Sequence, residues 1–243
     1  FITMTKILIT GASGGIGKAL CNAFANENNT VFLHYNSNKG RAESVLNQLP
    51  GSNHQTVQAD LSKPDQISAM FDLIKVIDVV VNNAAVVEPH IFDQLKFDEW
   101  TNIWRKTIDT NLIGSAHIMY FASRMMKKNG GGKFINISSR GAFRGEPNAP
   151  AYGASKAGLN SLGQSMAVAL AKDNIFVYTL APGYVDTDRV KDLIDDGVKS
   201  QSPLNRVATP EEVAKTALWL AMEKNQFLTG SIIDINGASY LRS

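Results

Sequence analysis

The chain has 243 residues, 44% of them hydrophobic and 19% charged, which excludes a disordered, fibrous or membrane-spanning protein. A net charge of +2 with no dense Lys/Arg run gives no footing for binding nucleic acid. A single cysteine, Cys21, excludes an internal disulfide and a cysteine-rich zinc site. Cys21 sits among apolar residues and reads as core, while His34, His54, His90 and His117 have no metal-ligand spacing. No apolar run reaches the roughly 20 residues needed to cross a bilayer. Phe1-Ile2-Thr3-Met4 has no basic start or cleavage site of a secretion signal, so Met4 reads as the natural start after three added residues. The expectation is a soluble, cytoplasmic chain that binds no membrane.

Short β-branched runs alternate with helical patterns along the whole chain. Strands are predicted at 6–10, 30–35, 54–59, 77–82, 133–138, 176–181 and 231–235, each apolar throughout, as strands covered on both faces are. Helices are predicted at 16–27, 39–49, 64–74, 98–128, 152–172 and 210–223. Pro64 and Pro210 stand in first turns, followed by Asp65 and by Glu211 and Glu212 at the positive helix end. Gly130-Gly131-Gly132 reads as the turn between the long helix and the fifth strand. This alternation implies an α/β fold: a single Rossmann-type, doubly wound domain over 1–243, its parallel sheet of about seven strands carrying helices on both faces.

The first strand runs into Thr10-Gly11-Ala12-Ser13-Gly14-Gly15-Ile16-Gly17. At the first strand–helix junction, Gly11, Gly15 and Gly17 let the backbone approach a pyrophosphate, which the helix N-terminus receives. The spacing differs from the commonest dinucleotide fingerprint, and a merely structural turn is the weaker alternative. Where NAD-preferring sites carry an acidic residue, this chain has His34-Tyr35-Asn36-Ser37-Asn38, then Lys39 and Arg41. Amide, hydroxyl and basic groups accept a 2′-phosphate that a carboxylate would repel, so NADP(H) is favoured and NAD(H) stays open. Lys39 and Arg41 could instead solvate a helix start. Asp60, with Leu61 beside it, is placed at the adenine edge or caps the helix that Pro64 begins. Asn82-Asn83-Ala84-Ala85 ends the fourth strand facing the ligand crevice, or forms an ordinary loop.

Tyr152 and Lys156 stand at i and i+4 of a predicted helix and so share one face. A nearby ammonium favours phenolate and lowers a tyrosine pKa from about 10, which makes Tyr152 an acid–base candidate near neutral pH. Upstream, Ser138 and Ser139 close the fifth strand, where a hydroxyl can brace a substrate carbonyl. Alone, a Tyr-x-x-x-Lys pair is usually a surface helix; here it follows a serine pair in a chain that carries a phosphate turn.

On these motifs, with Asn111 and Pro182-Gly183 through Thr187, the chain resembles the compact short-chain dehydrogenases/reductases over nearly its entire length. The resemblance implies that Tyr152 exchanges the proton, that Ser139 orients the carbonyl, and that Lys156 binds the ribose and lowers the tyrosine pKa. It selects Ser139 over Ser138 through the family's thirteen-residue interval to the tyrosine. It also implies that Asn111 holds a water relaying protons to Lys156. The cofactor would be held by Gly11, Ser13, Gly15, Ile16, Gly17, Asn36, Ser37, Asp60, Leu61, Asn83, Ala84, Tyr152 and Lys156. Pro182, Gly183, Val185 and Thr187 would pass the nicotinamide, with the Val185 backbone and Thr187 on its carboxamide.

Within the family, Pro203–Arg206, Thr209–Ala214 and Leu228–Gly237 look like 3-oxoacyl-[acyl-carrier-protein] reductases. Ala85 replaces the usual glycine, and the short stretch from Asp60 to Asp78 predicts a stunted third helix. Lys127 and Lys128 could dock an acyl carrier protein, but Asp173-Asn174 stands where a basic residue would help. A free ketone, sugar or acyl thioester therefore stays open beside a carrier-bound one. Residues 187–202 read as a substrate lid or as a solvated helix. The two long helices are apolar on more than one face, which suits a homotetramer or dimer but also thick core packing. The leading expectation is an NADP(H)-dependent carbonyl reductase. The alternatives are an NAD-dependent alcohol or sugar dehydrogenase and a non-catalytic dinucleotide-binding sensor.

Overall fold

The computed structural model describes residues 5–242, so the reading of the first three residues as additions lies outside the described residues. In chain order the elements are β1 (Thr5–Ile9), α1 (Gly15–Phe24), β2 (Asn29–Tyr35), α2 (Lys39–Leu46), β3 (Gln55–Gln58), α3 (Pro64–Leu73) and β4 (Val79–Asn82). Next come α4 (Phe97–Ile108), a π-helical turn (Asp109–Ile113), α5 (Gly114–Lys128), β5 (Gly132–Ile137), α6 (Gly141–Arg144) and α7 (Pro150–Leu170). A 3-10 turn (Ala171–Asp173) leads to β6 (Ile175–Pro182), then a 3-10 turn (Lys191–Leu193) and α8 (Asp196–Lys199). The chain continues through α9 (Pro210–Met222) and a 3-10 turn (Gln226–Leu228) to β7 (Ile232–Ile235).

All seven strands pair in parallel, in the order β3-β2-β1-β4-β5-β6-β7. The order reverses between β1 and β4, and strand C-termini there flank a crevice, the place where open α/β sheets receive ligands. The five central strands feed two cores, one on each face of the sheet, while the edge strands β3 and β7 each feed one. Ile7, Ile9, Val31 and Leu33 pack against Leu20, Cys21 and Phe24 of α1 and Val213 and Ala217 of α9. Leu8, Val80, Phe134 and Val177 turn the other way, onto Met70 of α3, Met119 and Met126 of α5 and Ala167 of α7. Each buried aliphatic side chain contributes about 1.5–3 kcal/mol, so both faces of the sheet are strongly held.

Cys21 is fully buried, and desolvation pushes its thiol up to about 12, which makes it core rather than chemistry. Gly130 and Gly131 take positive φ (91° and 133°) and close α5 before β5 as expected. Three readings change. The predicted 98–128 helix is interrupted by the π turn at Asp109–Ile113. The third helix is not stunted: α3 has ten residues, as many as α1, and the connection to β4 is short instead. Residues 187–202 form two short turns rather than one surface helix. Among the described residues, no helix is long and apolar enough to cross a membrane.

Candidate active site

The crevice is built from backbone that glycine alone permits. Gly11 has φ +65°, and a Cβ there would lie 2.9 Å from Ala84 Cα, so the turn after β1 packs directly on the end of β4. A Cβ on Gly17 would overlap Gly11 O, and so α1 can start this close to β1 only with glycine. No side chain caps α1 and no acidic residue occupies its first turn, so its leading amides and positive dipole end are open to an anion. This cradle fits a dinucleotide pyrophosphate.

The walls of the turn come from residues with several predicted roles. Thr10 Oγ1 accepts the Asn83 and Ala84 N–H groups at 2.9 and 3.0 Å. Asn83 Nδ2 donates to Thr10 O and Gly11 O at 2.8 and 3.2 Å, so this side chain ties β4 to the turn. Asn82 Nδ2 likewise bonds Asn136 Oδ1 on β5 at 2.9 Å. His34, which the sequence offered only as an unremarkable histidine, is the principal brace. Its Nδ1 accepts the Gly11 N–H at 3.1 Å, and its Nε2 lies 2.9 Å from Ala59 O. Burial holds its pKa down at about 4, so the ring is neutral.

Beyond β2, Asn36, Ser37, Lys39 and Arg41 are exposed together. Asn38 caps α2 by accepting the Arg41 N–H at 2.9 Å, and Lys39 pairs with Glu43 at 3.3 Å. Asp60 caps no helix. Its Oδ1 accepts the Ser62 N–H and hydroxyl at 2.9 and 2.8 Å, while Lys63 occupies the N-cap of α3. Leu61 is buried in the second core, its carbonyl and Cβ against Gly114.

Tyr152 and Lys156 occupy one face of α7, which begins at Pro150. Lys156 is 2% exposed, and its Nζ donates to Ile137 O of β5 at 2.7 Å. Ser139 Oγ accepts the Gly141 N–H at 3.0 Å, which leaves its hydroxyl hydrogen to donate, and it hydrogen-bonds the Tyr152 phenol. Ser138 turns away and donates to Lys156 O at 3.3 Å, so the structure separates the two serines. Asn111, fully buried in the π turn, joins three elements. Its Oδ1 accepts the Val86 N–H at 2.8 Å, and Nδ2 donates to Val86 O and Ser155 Oγ at 2.9 and 3.1 Å. Ser155 Oγ donates in turn to Tyr152 O at 2.7 Å. The Asn111 amide thus positions α7 against the segment that follows β4.

The electrostatics depart from the sequence argument. Burial raises the Tyr152 pKa; a Ser139 hydrogen bond and Arg189 lower it, and Glu146 raises it further. Lys156 Nζ lies 5.6 Å from the tyrosine ring centroid, yet its own pKa is lowered to about 7 by burial and then by Arg189. In the protein alone, desolvation outweighs the attraction between phenolate and ammonium that the spacing suggested. Arg189 and Glu146 were missed because only the folded chain brings their charges to Tyr152.

Downstream, the Gly183 N–H donates to Ile235 O at 3.0 Å, and the Pro182 carbonyl accepts the Arg140 N–H at 2.8 Å. Val185 bridges to Ala208, which fixes both ends of the 187–202 segment. A Cβ on Gly15 would lie 2.5 Å from Thr187 Cγ2, so Thr187 rests on the phosphate turn.

Comparison with known proteins agrees with this geometry. Residues 11–238 match the family model described as Enoyl-(Acyl carrier protein) reductase. The 3-oxoacyl-[acyl-carrier-protein] reductase of Staphylococcus aureus is 33% identical, covering 98% of this chain and 99% of its own. The reductase of the same name from Chlamydia muridarum is 34% identical, with 95% of each chain covered.

Proposed function

The chain belongs to the short-chain dehydrogenase/reductase family and is an NAD(P)-dependent oxidoreductase; from that premise we propose an NADP(H)-dependent carbonyl reductase with Tyr152 as proton donor. One observation carries this reading: the Ser139 and Tyr152 hydroxyls meet beside buried Lys156 at the carboxyl end of β5. A carbonyl oxygen placed between them would accept from Ser139, whose lone pair is engaged by Gly141 N–H, and take the phenolic proton. The bound nicotinamide supplies the hydride. Lys156 is held in the cleft by Ile137 O, with its ammonium available to the cofactor ribose. Gly11, Ser13, Gly15, Ile16 and Gly17 would hold the pyrophosphate; Val185, Thr187 and the Pro182–Gly183 turn would hold the nicotinamide end.

Preference for NADP(H) rests on Asn36, Ser37, Lys39 and Arg41, which are exposed where a carboxylate would discriminate against a 2′-phosphate. The substrate is a ketone or a 3-oxoacyl thioester, after the substrate in the relatives' names. Lys127 pairs with Asp173 at 2.9 Å, which offsets one of the two would-be docking cations and favours a free substrate over a carrier-bound one. Exposed Ile113, Tyr120 and Val168 support pairing of this helical face with a second copy.

The test is Tyr152→Phe. It should lower kcat by about 10²–10⁴-fold while leaving the cofactor Kd within about threefold. Retained turnover would overturn the assignment, and kcat/KM favouring NADH over NADPH would replace it with an NAD-dependent dehydrogenase.

A further inference from the structure

We propose that Arg189 binds an oxyanion of the substrate, so that the cleft takes ketones carrying a carboxylate or phosphate. This rests on the reductase reading above. After β6 the backbone is fixed by the Val185–Ala208 bridge and by the Asp186 N–H donating to Ala208 O at 2.8 Å. Thr187 then lies on Gly15, and Arg189 reaches across the crevice, where Nη1 donates to Ala85 O at 3.1 Å beyond the end of β4. The guanidinium stands exposed at the rim of the cleft, close enough for its charge to act on both Tyr152 and Lys156.

A guanidinium carries five N–H donors, and a single one is used here. No carboxylate pairs with Arg189 among the described residues, whereas Arg206 and Arg242 have Glu212 and Asp234 at 2.7 and 2.8 Å. Glu146 packs its carboxylate against Gly141, leaving no room for a Cβ there, and its charge opposes that of Arg189 at the phenol. Toward Gly141 the Glu146 carboxylate acts on Arg140, which Arg144 also faces, whereas Arg189 beside Ala85 has no carboxylate partner among the described residues. An anionic ketone is then favoured with its oxyanion on the unpaired Arg189 and its carbonyl between Ser139 and Tyr152. The cofactor pyrophosphate has separate donors in the uncapped start of α1, which frees Arg189 for the substrate.

The experiment compares matched ketones with NADPH: acetoacetate against methyl acetoacetate, and dihydroxyacetone phosphate against dihydroxyacetone. In at least one pair the wild-type enzyme should favour the charged member in kcat/KM by about tenfold or more, and in Arg189→Met that ratio should fall to about one. Calorimetry supplies a readout independent of turnover: malonate should bind the wild-type NADP⁺ complex, and Arg189→Met should bind it at least tenfold more weakly. Wild-type preference for both neutral members, or equal loss on both members in the variant, would overturn the assignment. A tenfold rise in the NADPH Kd of Arg189→Met would also overturn it, moving the arginine to the cofactor diphosphate. Should no carbonyl be reduced while malonate still discriminates the variant, the reductase reading fails and the anion site stands.

Discussion

Replacing His34 with phenylalanine tests whether a neutral imidazole holds the cofactor turn. The ring is 2% exposed, with Nδ1 accepting from Gly11 N at 3.1 Å and Nε2 at 2.9 Å from Ala59 O. That pairing puts the proton on Nε2, and a second proton on Nδ1 would face the Gly11 N–H donor against donor. Burial, the largest cause, takes the pKa from its ordinary 6.5 to about 4. At 1.36 kcal/mol per tenfold change in proton affinity, that depression corresponds to about 3 kcal/mol. The folded pKa lies below the unfolded one, so this stability is full above about pH 6.5, erodes as pH falls, and is gone below about pH 4. At pH 7, His34→Phe should be less stable than the wild type, since two backbone groups lose their partners at about 1–3 kcal/mol each. Urea unfolding of both proteins between pH 7 and 4.5 should show the gap shrinking by about 2–3 kcal/mol, because the variant has no group to titrate at this position. Carboxylates common to both proteins cancel in the difference. A gap that stays constant across this range would refute the neutral bracket.

Gly17→Ala places a methyl group on Gly11 O and 2.9 Å from Ala12 Cα, an overpacking that costs about 1–3 kcal/mol. Titration should show NADPH affinity reduced by about tenfold or more with the circular dichroism retained, and unchanged affinity would show that the close approach is dispensable. Thr209→Ala removes the side chain that accepts the Glu212 N–H at 3.3 Å at the start of α9. It should cost about 1 kcal/mol and lower Tm by about 2–4 °C without affecting kcat. Arg206 and the Thr209 backbone hold Glu212 at about 2, so this partly exposed contact helps above the ordinary carboxylate range and is lost as pH falls toward 2. High salt should erase most of that contribution, as a melting series in NaCl would show.

The sheet was legible because two-faced burial leaves its central strands largely apolar. The edge strands β3, with Gln55 and Gln58 exposed, and β7, with Asp234 exposed, do not share that pattern, yet all seven lie within about two residues of their expected limits. The Tyr152–Lys156 helix and the glycine turn were legible because spacing alone places their functional groups. The π turn was not: one extra residue in a helical turn barely disturbs the apolar period between Phe97 and Lys128, and its purpose is visible only when Asn111 meets Val86 and Ser155. Nor was His34, whose partners are backbone groups 23 and 25 residues away and leave no side-chain signature.

The Tyr152–Lys156 pair shows most clearly what spacing omits. Residues at i and i+4 bring an ammonium beside a phenol, and from charge alone the tyrosine should lose its proton more easily. Burial reverses this by opposing both charged forms, raising Tyr152 and lowering Lys156 to about 7. The consequence bears on direction. A phenol whose pKa is raised stays protonated across the neutral range, which is the state a proton donor needs and a general base must first leave. The reduction proposed above would therefore use Tyr152 in the state the chain itself prepares. In the reverse, oxidative direction the phenol would have to lose its proton against its burial and against Glu146.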